Sequence, residues 1–216
     1  MNIDFARQQM IDQQVRAWTV LDPSVLAVLS AVPREKFVPA AYATLAFADT
    51  EIPLGHGAKM WSPRMEARVL QELRLVPGES VLEIGTGSGY LTALLASRGA
   101  RVTSVEIDPQ LAADAKVRLA HAGFGSVELA GGDGARGWGN GTYDAIVLTG
   151  STPVLPDGFT RQLNPGGRIF GVIGEPPVME ARLVRWVAPE ALTERVLFET
   201  MLEPLKNAMA PARFVF

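Results

Sequence analysis

Cysteine is absent, and histidine nearly so, with only His56 and His121 in the chain. The first absence excludes a disulfide framework, a thiolate nucleophile, an iron–sulfur cluster and cysteine-ligated zinc. It also fits a reducing cytoplasm, the compartment expected here. The two histidines stand far apart, and neither has an acidic residue at metal-ligand spacing, so no metal site is expected. No apolar run approaches the ~18 residues of a membrane span. The start, MNIDFARQQM, lacks the basic and apolar regions of a signal peptide. Excess charge is missing too: 20 Lys and Arg face 23 Asp and Glu, a formal net charge of −3. With no basic block, neither nucleic acid nor membrane is an expected partner. What the chain has is apolar material, 48% of its 216 residues, with a mean hydropathy of +0.15. That suffices for one sizeable core and excludes intrinsic disorder.

Two textures divide the chain. Residues 1–78 read as helices and irregular loop, an N-terminal extension on the substrate side of one compact unit. A helix is expected over 5–15, with Met10, Ile11 and Val15 on one side. Another opens at Asp22-Pro23, an N-cap followed by proline at the first helical position, and ends at Val32-Pro33. Residues 34–62 hold prolines and glycines without a sustained period, and such segments are usually functional. Pro63 starts a third helix, with Met65, Val69, Leu70 and Leu73 at helical spacing. From 79 to 216 short apolar runs alternate with helical patterns. Strands are expected at 81–84, 101–106, 126–129, 143–148 and 168–173, and helices at 90–97, 109–122 and 159–163. This alternation predicts right-handed βαβ units and a mainly parallel sheet. Two further β-like runs, 195–201 and 213–216, would close the sheet by antiparallel pairing.

The most informative segment is Val81-Leu82-Glu83-Ile84-Gly85-Thr86-Gly87-Ser88-Gly89-Tyr90. A buried strand runs into three alternate glycines and a helix follows. Such a loop admits positive φ and close approach of a ligand, and the helix start offers free N–H groups. The same pattern also serves simply to pack helix on strand. A dinucleotide loop spaces its glycines G-x-G-x-x-G, whereas here the third comes one residue earlier. Glu83, just before the loop, would repel a pyrophosphate but attract a cationic centre and a free amine. S-adenosyl-L-methionine carries both, with a carboxylate for the helix N-terminus. Glu106 ends the second strand, where a carboxylate can accept from both ribose hydroxyls. Asp133, in Gly132-Asp133-Gly134 after the third strand, is either an acceptor for the adenine amino group or a turn former.

With these residues in order, the sequence resembles class I S-adenosylmethionine-dependent methyltransferases. More narrowly, it resembles the protein-L-isoaspartate O-methyltransferase family, through Val32-Pro33-Arg34-Glu35-Lys36-Phe37-Val38-Pro39 and the Gly-Thr-Gly-Ser-Gly-Tyr loop. The resemblance implies an α/β, Rossmann-like doubly wound sheet with helices on both faces, built on residues 79–216. It implies that Glu83, Gly85, Thr86, Gly87, Ser88, Gly89, Tyr90, Glu106, Ile107, Asp133, Gly134 and Thr149 hold S-adenosyl-L-methionine, with S-adenosyl-L-homocysteine as product. It implies methylation of isoaspartyl carboxylates in damaged proteins or peptides. The family usually carries Thr-Ile-Ser-x-Pro before the third helix, whereas this chain reads Lys59-Met60-Trp61-Ser62-Pro63. Trp61 at the serine position would cover the pocket, stack on a substrate or shut out an isoaspartyl peptide. Ser62 is either a site residue or the N-cap of that helix, and Asp49 matches a family position near the substrate opening.

A carboxylate acceptor, with an ordinary pKa of about 3.9, is ionised at neutral pH and needs no general base. The protein's task is then alignment and desolvation. Three other readings stay open: the same fold with another acceptor such as a small-molecule carboxylate, an NAD-dependent oxidoreductase, and a non-catalytic cofactor-binding protein. His56 reads as an exposed loop residue, His121 as a helix-end cation, and Trp18 and Trp186 as packing residues. Trp138 either touches adenine or belongs to a mobile turn between Gly137 and Gly139.

Overall fold

The computed structural model describes residues 2–188 and 191–211. The chain opens with α1 (Ile3–Met10), which runs on through a π-helical turn (Ile11–Val15) and a 3-10 turn (Arg16–Trp18). The expected single helix thus changes pitch after Met10 while keeping Met10, Ile11 and Val15 buried. Helix α2 (Pro23–Ala31) is capped by Asp22, whose side chain accepts from the Ser24 amide. Two 3-10 segments follow, then a small hairpin of β1 (Ile52–Gly55) and β2 (Ala58–Met60) inside the stretch expected to be irregular. Its turn places His56 at φ 53° and Gly57 at φ 78°, a left-handed pair that folds the chain back on itself. Helix α3 (Pro63–Leu73) buries Met65, Val69, Leu70 and Leu73 as their spacing predicts.

The main sheet is built from β3 (Ser80–Ile84), β4 (Arg101–Glu106), β5 (Glu128–Gly131), β6 (Tyr143–Leu148), β7 (Leu163–Glu175), β8 (Val178–Ala188) and β9 (Ala191–Glu199). Helices α4 (Tyr90–Ser97), α5 (Pro109–His121) and α6 (Asp157–Arg161) connect the parallel part. The spatial order is β5-β4-β3-β6-β7-β8-β9, parallel from β5 to β7 and antiparallel from β7 to β9. This is the expected doubly wound architecture, with a switch point at β3, where the chain has filled one side and returns to the other.

Alternation along the strands creates two cores. Val81, Ala145, Val147, Phe170 and Val172 face one cluster, while Leu82, Ile146, Leu148 and Ile169 face another with Phe159 of α6. The N-terminal helices bury their apolar faces in the first cluster, sharing it with the sheet.

Three strand expectations need correction. β5 begins two residues later than expected, β7 is longer at both ends, and β8 was not anticipated. In β8, Met179, Ala181, Leu183 and Val184 are buried among charged neighbours. Their alternation was present, but Glu180, Arg182 and Arg185 masked it. The run expected at 195–201 overlaps β9; that at 213–216 lies outside the described residues. Among the described residues, no helix is long and apolar enough to cross a membrane.

Candidate functional site

A cavity of about 330 Å³ opens at the carboxyl ends of the parallel strands, where the switch point predicts a ligand crevice. Its floor is the loop after β3. Gly85 sits at φ 96°, and a Cβ there would lie 2.1 Å from Thr149 Oγ1. That hydroxyl donates to the carbonyls of Ile84 (2.8 Å) and Gly85 (2.7 Å), tying the β3 loop to the end of β6. Gly87, at φ 54°, donates its amide to Glu106 Oε2 at 2.9 Å. Glu106 Oε1 accepts from the Asp108 amide at 3.0 Å. The carboxylate at the end of β4 is therefore fixed in place by two backbone donors, each leaving a lone pair for a ligand.

Glu83 lies beneath this loop and is fully buried. Its Oε2 accepts from Thr92 Oγ1 (2.5 Å) and Ser104 Oγ (2.6 Å), while Oε1 has no partner among the described residues. Burial pushes its carboxyl up to about 7, against the pull of the two hydroxyls. Glu66 of α3 also lines the cavity and is buried. Burial pushes it up to about 8, although Arg34 draws it the other way. Arg34 is fully buried and donates to Glu66, to the Ala46 carbonyl (2.9 Å) and to the Trp61 carbonyl (2.6 Å).

The opposite wall is made by the hairpin and the segment that follows it. Trp61 lines the cavity, nearly buried, with its ring edge-on to Phe170 at 6.2 Å. Lys59 stands at the wall between Glu51 (3.4 Å) and Glu203 (3.3 Å). The wall is completed by residues 202–206. Ser151 donates its amide to the Glu203 carbonyl (2.9 Å) and accepts from the Leu205 amide (2.9 Å), pinning the strap to the end of β6. Farther along, Lys206 reaches Asp108 (3.4 Å) and Asn207 donates to Asp133 Oδ2 (2.9 Å). Pro204, Leu205 and Lys206 thus form a rim of the cavity.

The cavity lining includes Trp61, Glu83, Gly85, Thr86, Gly87, Ser88, Glu106, Ile107, Asp133, Gly134 and Thr149 among the expected residues. It does not include four others. Tyr90 is buried away from it, 5.4 Å from Phe37 and under the Arg34 guanidinium. Gly89 packs helices: a Cβ there would meet Leu119 at 3.1 Å. Asp49 is paired with Arg64 at 3.1 Å, outside the cavity. Ser62 is the N-cap residue of α3 by backbone, but its side chain caps nothing. Asp133 combines both of its readings, since Oδ1 accepts from the Ala135 amide (2.9 Å) as a turn former does. Trp138 is half-buried, held by Gln162 and packed against Gly132, and is not among the residues that line this cavity. His56 is half-exposed, as expected, but lies 3.0 Å from Asp108 at the rim. Trp18 and Trp186 pack as expected, Trp18 with its ring 4.9 Å from Phe198.

Sequence reasoning missed Glu66, Arg34 and the 202–206 strap. Glu66 had a signal, a charge on the apolar face of α3 four residues before Leu70. The strap had none, because its role depends on Ser151, 51 residues away from Leu202.

The family described as Protein-L-isoaspartate(D-aspartate) O-methyltransferase matches residues 5–199. The chain is 43% identical over 180 residues to protein-L-isoaspartate O-methyltransferase 1 of Rhodopseudomonas palustris, covering 83% of this chain and 73% of that one. It is 38% identical over 197 residues to a protein-L-isoaspartate O-methyltransferase of Gloeobacter violaceus, covering 91% and 96%. A solved protein-L-isoaspartate O-methyltransferase superposes with TM-score 0.80 at 25% identity, covering 92% of this chain; the chain spans 65% of that structure's length. A beta-aspartate methyltransferase of Plasmodium falciparum, solved in complex with S-adenosyl-L-homocysteine, shares the fold with TM-score 0.78 at 18% identity, covering 95% of this chain and 98% of that one.

Proposed function

Because the chain belongs to the protein-L-isoaspartate(D-aspartate) O-methyltransferase family, we propose that it methylates the side-chain carboxylate of isoaspartyl residues in proteins or peptides. It is an S-adenosyl-L-methionine-dependent enzyme. The observation that carries the reading is one continuous cavity joining the glycine loop and Glu106 to the Trp61 wall, so donor and acceptor can meet in a single space.

The residues present suit the cofactor. Glu106, held by two amides, takes the ribose hydroxyls, and Ile107, Leu111 and Gly134 offer an apolar slot for the adenine ring beside Asp133. Gly85 and Gly87 let the amino-acid end approach the backbone. Glu83, with an orphaned buried oxygen, supplies negative character beneath it. When bound, the cofactor supplies an electrophilic methyl group on a sulfonium. The chain's own work is to orient and to exclude water. Trp61 and Met60 close the acceptor end with apolar surface, which strips water from the incoming carboxylate. No side chain need remove a proton, because the acceptor arrives ionised.

The test is transfer of label from S-adenosyl-L-methionine carrying a radioactive methyl group to a synthetic isoaspartyl peptide. A base-labile methyl ester on that peptide, absent from its normal aspartyl counterpart, is the expected result. A labelled ester appearing only on small carboxylic acids would replace the acceptor while keeping the chemistry.

A further inference from the structure

The buried charges beneath the cavity do not balance. Arg34 is the cation, and Glu66 and Glu83 are the carboxylates, at 0%, 2% and 0% exposure. Arg34 bonds Glu66 directly, and the charge of Glu83 raises the cost of ionising Glu66. Among the described residues, no second cation hydrogen-bonds either carboxylate. From α4, Thr92 offers a hydroxyl to Glu83, and the Tyr90 phenol beside Arg34 is neutral, its ionisation made harder by burial. From β4, Ser104 offers a hydroxyl, and Glu106 adds a third negative group. The more distant Arg7 is occupied by Glu35 at 2.8 Å and by Asp4. Two carboxylates buried with only one of them bonded to a guanidinium hold a proton more readily than ordinary carboxylates do. Both line the cavity, so a charge placed there acts on them through protein rather than bulk water.

On the reading that S-adenosyl-L-methionine binds in this cavity, we propose that the Glu66–Glu83 pair senses the charge of the cofactor, releasing a proton when the sulfonium enters and regaining it once the neutral thioether product remains. The donor and S-adenosyl-L-homocysteine share the adenosine, amine and carboxylate and differ by a methyl group and one positive charge. The pair responds to that charge. Binding of the donor is then proton release coupled to ligation, and its affinity rises with pH relative to that of the product. The protein so favours donor over product through a carboxylate that ionises only when a cation is present.

Calorimetric titration of the full-length protein with each ligand, in buffers of different ionisation enthalpy, counts the protons. Between pH 6 and 7 the amines of both ligands are protonated, the ordinary α-amino value being about 7.7–8.0. Donor binding is expected to release a substantial fraction of a proton more than product binding. The donor-to-product affinity ratio is expected to rise at least about threefold from pH 6 to pH 7.5. Sinefungin, an amine-bearing analogue that is cationic at the sulfonium position, should behave as the donor does. In Glu83→Gln the difference in proton count should shrink, and Glu66→Gln supplies the second variant should the first bind poorly. Equal proton counts for donor and product in the wild type, with a pH-independent affinity ratio, would overturn the proposal. Binding of neither ligand would overturn the cofactor reading itself, and the sensor with it.

Discussion

The carbonyl oxygen of Trp61 accepts a 2.6 Å hydrogen bond from Nη2 of Arg34, a side chain with no exposure to solvent. The same guanidinium holds the Ala46 carbonyl and Glu66. One fork therefore fixes three stretches of the extension that walls the acceptor end of the cavity.

Removing Arg34 should leave Glu66 and the Trp61 and Ala46 carbonyls buried without their shared donor. Arg34→Met is expected to cost about 3–5 kcal/mol of stability, and the double variant Arg34→Met/Glu66→Met to recover part of it. Urea denaturation of the two proteins checks this. The double variant still lacks the donor to Trp61, so its KM for an isoaspartyl peptide should rise while its affinity for S-adenosyl-L-homocysteine changes less.

The two ends of the glycine loop should respond differently to a methyl group. Gly85→Ala places a Cβ 2.1 Å from Thr149 Oγ1, at φ 96°, and should lower S-adenosyl-L-homocysteine affinity more than tenfold. Gly89→Ala crowds Leu119 at 3.1 Å, with φ 83°. It should cost stability, about 1–2 kcal/mol from backbone strain, and leave affinity within about threefold. Calorimetric titration and thermal melting separate the two effects.

Stability should fall from weakly acidic to weakly alkaline pH. Glu66 and Glu83 titrate near 8 and 7 in the fold, against 4.5 ordinarily, with burial as the main cause. The folded chain thus binds more protons than the unfolded one across that window. Their contribution is fully present below about pH 4.5 and is lost as pH rises through 7 to 8. Glu83→Gln should flatten this decline in a series of urea midpoints. Burial disfavours ionised Glu79, but Arg168 at 2.6 Å and the Val76 amide outweigh it and hold the carboxyl low. Its contribution runs the other way, present above the ordinary value and lost only as pH falls through the depressed one, so Arg168→Met should lower stability at neutral pH and flatten its loss in acid.

Ending the chain at Met201 removes a cavity wall and, among the described residues, no strand of the sheet. Leu202, Glu203, Pro204, Leu205 and Lys206 all line the cavity, and Ser151 holds them through two backbone bonds. The truncated protein should melt within a few degrees of the full chain and bind S-adenosyl-L-homocysteine at least about tenfold more weakly. An unchanged affinity would show that the strap does not cover the ligand.

Local physics wrote much of this protein into its sequence. Asp22-Pro23 marks the start of α2, and Pro63 that of α3, because cap and proline chemistry acts within a few residues. The strand, glycine loop and helix from Ser80 to Ser97 stand where their periods place them, and Glu106 ends its strand beside that loop. Tertiary structure decided the rest. Tyr90 and Gly89 belong to the same short motif as Gly85 and Gly87, yet the turn of α4 sends them into packing instead of the cavity. Only the folded chain brings Arg34, Glu66 and Glu83 together, from three separate elements, and lays residues 202–206 against Ser151. A charge pattern along the chain does not record which side chains lose their water together, and that loss sets both the charge balance beneath the cavity and the shape of the site.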